Sequence, residues 1–124
     1  MSSYLLDTCI VIDFLRGQEA AKAFLQKLPS RPHVSVVTLT KIFAGLRSRK
    51  EETAVRAFFA DCRIWNLTPD ISENAGYMLR HYRPSLGIDV PDALIAATAE
   101  HHRLELATLN VKHFPMFKRL KPAY

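Results

Sequence analysis

Four short apolar runs, separated by segments whose apolar residues recur at helical spacing, constrain the fold of this 124-residue chain most strongly. Tyr4-Leu-Leu-Asp7, His33-Val-Ser-Val-Val37, Ile64-Trp-Asn-Leu67 and Leu104-Glu-Leu-Ala-Thr108 have strand length. Ile10, Val11, Phe14 and Leu15 predict a helix closed by Gly17, and Ala20 to Leu28 predict another, stopped by Pro29. Further helices are predicted from Thr38, over Glu51 to Cys62, over Asp70 to Tyr82 and over Pro91 to Glu100, with Pro84 to Gly87 a loop. Parallel neighbours need crossover connections, so this alternation predicts an α/β fold with a mostly parallel central sheet between two helical layers and right-handed crossovers. No linker, internal repeat or low-complexity segment interrupts it, and residues 1–124 read as a single domain.

Composition narrows the class. Hydrophobic residues at 48% with few Gly and Pro exclude a disordered or fibrous chain. No apolar run approaches the roughly 18 residues of a membrane span, and the opening Met1 to Asp7 lacks the basic start and long apolar stretch of a signal peptide. A soluble cytoplasmic protein with no membrane partner is the expectation. Cys9 and Cys62 lack metal or CxxC spacing and are read as reduced, buried thiols on helices. The 17 Lys and Arg against 12 Asp and Glu give +5, which favours a polyanionic partner.

In a sheet of this kind ligands sit beyond the carboxyl ends of the strands. The residues to weigh there are Asp7, Thr38 to Lys41 and Thr108 to Asn110, joined by Asp89 and Asp92 where a helix opens. Asp7 suits an N-cap as well as a hard cation, and Thr8 suits a second cap or a hydroxyl that orients the carboxylate. Asp89 and Asp92, three apart around Pro91, serve equally as cap and first-turn acid. Acids converging from two elements on one sheet edge repel each other, and a cation is the usual remedy. Asn110 is a turn residue or a weak ligand, and His113 reads as a surface histidine.

Asp7-Thr-Cys-Ile-Val-Ile-Asp-Phe-Leu15, Ser35-Val-Val-Thr38 before Ile42-Phe-Ala-Gly45, Asp92-Ala-Leu-Ile-Ala-Ala-Thr-Ala99, and Thr108-Leu-Asn110 before His113-Phe114 follow in an order that resembles the PIN-domain toxins of the VapC type. The resemblance covers essentially the whole chain. It implies a PIN-like three-layer sandwich and an endoribonuclease dependent on Mg2+, with Mn2+ as the alternative. It also implies a small cognate antitoxin, an RNA substrate and a homodimer. Asp7 and Asp92 match the family's metal-binding acids and Asn110 the last polar position of the site, with Asp89 a weaker candidate ligand. The family's remaining acid, a Glu, falls where this chain has Lys41.

That lysine is odd on local grounds too. Thr38-Leu-Thr-Lys41 has the frame of a capping box, which takes Glu or Gln at its fourth place, and a cation in a first helical turn opposes the helix dipole. Lys41 therefore either weakens or abolishes metal binding, or places its ammonium among Asp7 and Asp92 as a counter-ion. Natural divergence and deliberate substitution leave the same mark. Arg16, Arg47, Arg49, Lys112 and the cluster Lys118, Arg119 and Lys121 are the candidates for meeting RNA phosphates.

Two other readings compete. A non-catalytic PIN-fold binding module would dimerise and hold antitoxin or RNA without turnover. A receiver or a dehalogenase-like phosphatase would also place an Asp after the first strand. The first needs an acidic pair there and the second an acid at position 9, which is cysteine.

Overall fold

A computed structural model describes residues 3–124. The strands are β1 (Tyr4–Leu6), β2 (His33–Ser35), β3 (Arg63–Trp65) and β4 (Glu105–Ala107). The helices are α1 (Thr8–Leu15), α2 (Glu19–Gln26), α3 (Val36–Ala44), α4 (Arg49–Ala60), α5 (Pro69–Leu86) and α6 (Val90–His101), followed by a 3-10 turn over Val111–His113. The sheet runs β3-β2-β1-β4 with every neighbouring pair parallel. The mostly parallel sheet predicted from the alternation is thus parallel throughout.

Successive strand residues point to opposite faces, and the core divides accordingly. Leu5 and Leu106 pack with α5, α6 and Phe114 on one face. Leu6, Val34 and Ala107 pack on the other with Ile10, Val11, Ile42, Val55 and Phe59 from α1, α3 and α4. Helices cover both faces of the central strands, whereas the edge strand β3 leaves Arg63 and Ile64 exposed. No helix is long and apolar enough to cross a membrane among the described residues.

Several boundaries differ from the sequence expectation. The second strand ends at Ser35, whose hydroxyl accepts from the Val37 amide at 3.0 Å and caps α3. That early cap moves the helix start from Thr38 to Val36, since capping outweighs the β preference of Val36 and Val37. The fourth helix begins after Ser48 and ends at Ala60, leaving Cys62 buried in the turn before β3 rather than on a helix. Cys9 lies on α1 and is only half-buried. Pro84 falls inside α5 instead of opening a loop, and the helix continues to Leu86 before Gly87 ends it at φ 65. Glycine takes that left-handed conformation without the strain a Cβ would add.

Candidate active site

Asp7 leaves β1 and caps α1, its Oδ1 accepting from the Thr8 amide at 2.8 Å. Its other oxygen accepts from the Thr108 hydroxyl at 2.7 Å and from the Cys9 thiol at 3.5 Å. The carboxylate is 4% exposed, so the hydrogen bonds replace much of the water that burial removed. Capping and site geometry are therefore one arrangement, not alternatives. Thr8 shares a hydrogen bond with Thr38 at 3.2 Å, which ties the start of α1 to α3.

Asp92 lies in the first turn of α6 and is 6% exposed. Asp89 is the N-cap, its Oδ1 accepting from the Asp92 amide at 2.9 Å, so its role is the local one that three-residue spacing allows. Pro91 in the first turn sacrifices no helical hydrogen bond. Burial pushes the Asp92 carboxyl up to about 6, with further upward contributions from Asp89 and from the charge of Asp7. The Asp7 charge thus reaches Asp92 from another element. His113 opposes the rise, its Nδ1 lying 3.2 Å from Asp92 Oδ2. The histidine is exposed, in keeping with its reading as a surface histidine, but it also touches a candidate ligand.

Asn110 is exposed, and what it contributes is its backbone: the amide donates to Thr108 Oγ1 at 2.9 Å. Thr108 is fully buried and joins Asp7 to the turn that carries Asn110. Sequence reasoning placed Thr108 at a strand end without giving it a role. The signal was available, because a hydroxyl at the end of β4 stands beside the end of β1 in a parallel pair.

Lys41 departs from expectation. With Ser35 as the cap, it falls in the last turn of α3, where its charge favours the helix dipole. The capping-box frame from Thr38 is not used. The side chain is exposed, makes no ion pair among the described residues and lines a cleft, so it is not a counter-ion between Asp7 and Asp92. It stands one turn beyond Thr38 on the same side of α3, since residues three apart are helix neighbours.

The donor set suits a hard cation. Two buried carboxylates with one raised partly by the other form a site whose repulsion a divalent ion relieves. Among the described residues no three His, Cys, Asp or Glu side chains are placed to hold a metal together.

The cleft beside Lys41 holds about 370 Å³ between α1, α3 and α4. Ile12, Leu15, Leu46 and Val55 form much of its apolar wall, and Arg16, Lys41, Arg47 and Lys50 contribute its cations.

The PIN domain family profile matches residues 4–120. The ribonuclease VapC19 of Mycobacterium tuberculosis is 42% identical over 97% of this chain and 98% of its own length. VapC10 of the same organism is 41% identical over 97% of this chain and 92% of its own. Among solved structures, a toxin-antitoxin complex from Klebsiella pneumoniae contains a chain with 33% identity and a TM-score of 0.86, covering 98% of both chains.

Proposed function

Because the chain belongs to the PIN-domain family, we propose that it is the toxin of a toxin-antitoxin pair, a magnesium- or manganese-dependent endoribonuclease impaired by Lys41. The observation that carries the reading is the pair of buried carboxylates, Asp7 and Asp92, with the charge of one felt at the other. The relatives named ribonuclease support the chemistry, and the toxin-antitoxin complex supports the partner.

Asp7 and Asp92 would hold the cation, which when bound polarises the scissile phosphate and lowers the pKa of an attacking water. The chain supplies the geometry. The Thr8 amide and Thr108 hydroxyl fix both oxygens of Asp7, and the Asp89 cap fixes the turn that presents Asp92. His113 holds an N–H beside Asp92 Oδ2 whenever Nδ1 is protonated. Basic residues near this edge, Lys112 foremost, meet RNA phosphates, and the protein is cytoplasmic.

The antitoxin docks an apolar helix in the cleft between α1, α3 and α4, as an amphipathic segment docks in a groove. Tyr77, Leu86 and Val90, exposed on α5 and the opening of α6, support a homodimer. Lys41 itself favours a second reading, in which the chain retains binding and has lost turnover.

Single-stranded RNA incubated with the Lys41→Glu form and magnesium distinguishes these readings. Cleavage abolished by EDTA and by a further Asp92→Asn change supports the nuclease. No cleavage, with antitoxin still bound, favours the binding module, whereas cleavage that survives Asp92→Asn contradicts the assigned site.

A further inference from the structure

The ribonuclease reading leaves unused a cationic cluster at the opposite end of the sheet, where β2 begins and α6 ends. The single tryptophan, Trp65, donates its Nε1–H to His33 Nδ1 at 2.9 Å. His102 stacks on the indole with 3.6 Å between centroids and 18° between planes. The Arg63 guanidinium carbon lies 4.3 Å from the same centroid. His102 and Arg63 thus both pack on the indole.

The indole is already packed by a ring and a guanidinium, so the groups left to meet a ligand are polar ones. What the cluster offers is charge and N–H donors. His33 accepts at Nδ1, so its neutral ring carries the proton on Nε2. Arg63 is exposed and stacked, which leaves its edge N–H groups free for an anion. Arg31, also exposed, is close enough for its charge to act on His33.

Among the described residues neither Arg31 nor Arg63 forms an ion pair. Burial first, and then the charges of Arg63, His102 and Arg31, lower the His33 pKa; burial, His101 and Arg63 lower that of His102. No carboxylate is among these influences. The lowered pKa values favour neutral histidines, so Arg31 and Arg63 carry the positive charge, and a phosphate satisfies them and the His33 Nε2–H through charge-assisted hydrogen bonds.

We infer that Arg31, His33, Arg63 and His102 form a second anion site that takes the phosphodiester backbone of RNA at the far end of α6 from Asp92. Ten residues of helical rise separate Asp92 from His102, about 15 Å along the axis. RNA bound there is held away from the cleavage edge, so the site contributes affinity rather than chemistry. The choice of RNA rests on the ribonuclease reading, whereas the cationic geometry does not.

The test uses the full chain in EDTA, so that cleavage plays no part, with a short fluorescein-labelled single-stranded RNA. Anisotropy reports total binding and Trp65 emission reports occupancy of the cluster. Duplex DNA of the same sequence and pyrophosphate serve as comparison probes. The expected result is a saturable Trp65 response to RNA, with Arg31→Gln and Arg63→Gln each weakening binding severalfold. Each should also lower the slope of log affinity against log salt by about 0.7, the value for one single-strand phosphate contact. Because Arg31 is exposed and outside the indole stack, its variant decides the matter even where Arg63→Gln disturbs folding. Unchanged affinity and salt slope in folded variants, with Trp65 unmoved, overturn the site. A Trp65 response to pyrophosphate or DNA but none to RNA overturns the RNA assignment. Absence of RNA binding in EDTA, with the pyrophosphate response intact, overturns this site's RNA assignment alone, whereas the ribonuclease reading stands or falls on the cleavage assay with magnesium.

Discussion

The hydroxyl of Thr108 donates to Asp7 Oδ2 at 2.7 Å, joining the end of β4 to the end of β1 inside the core. Thr108→Val keeps the shape and removes the donor. A buried acceptor that loses a partner costs about 1–3 kcal/mol, so chemical denaturation should show that loss. Thr108→Ser, which retains the hydroxyl, should recover most of it. In the Lys41→Glu background, Thr108→Val should also weaken divalent-ion binding by about 10–100-fold, as loss of an orienting partner does elsewhere.

Asp92 gives the site a pH signature. Its folded pKa of about 6 lies above the roughly 3.9 of an unfolded aspartate. Between those values the folded state binds more protons, so stability falls as pH rises from about 4 to about 6 and is lowered by a constant amount above that. A two-unit shift corresponds to about 3 kcal/mol as an order of magnitude. Asp92→Asn should therefore be more stable than the parent at pH 7 in EDTA, with the advantage vanishing near pH 4. Urea denaturation across this range measures it, and equal stability at both ends would remove the burial argument.

Much of this was legible in the residues. The strand runs near Tyr4, His33, Ile64 and Leu104 all form strands, because each is nearly continuous in apolar residues and bounded by helical periodicity. Asp7 and Asp92 could be singled out because each follows or opens an element at the edge where such sheets bind ligands. The start of α3 was not legible, since Val36 and Val37 prefer strand while Ser35 can cap a helix, and the sequence alone does not say that the cap wins. That displacement reversed the electrostatic reading of Lys41, from an unfavourable first turn to a favourable last one. Thr108 was placed at the site edge without a role and His113 was read as a surface histidine, because their contacts with Asp7 and Asp92 span 101 and 21 residues of sequence.

The cleft between α1, α3 and α4 makes a prediction about partner binding. Ala54 lines it and is exposed, so Ala54→Trp fills space without disturbing the core. The variant should fold with the parent's melting temperature and fail to copurify with a coexpressed antitoxin. Normal copurification would move the antitoxin elsewhere on the surface.

Position 41 carries the heaviest consequence. A unit charge about 5 Å from a divalent ion interacts by roughly 6–7 kcal/mol at an effective dielectric near 20, and exchanging Glu for Lys reverses the sign. Lys41 is exposed, so solvent and salt remove much of that difference. A remainder of about 1.4–4 kcal/mol still corresponds to roughly tenfold to a thousandfold in affinity. Calorimetric titration of magnesium and manganese into the chain and its Lys41→Glu form tests the central claim most directly. Binding at least tenfold tighter in the Glu form, abolished by Asp7→Asn, is the predicted result, and equal affinity in the two forms would contradict it.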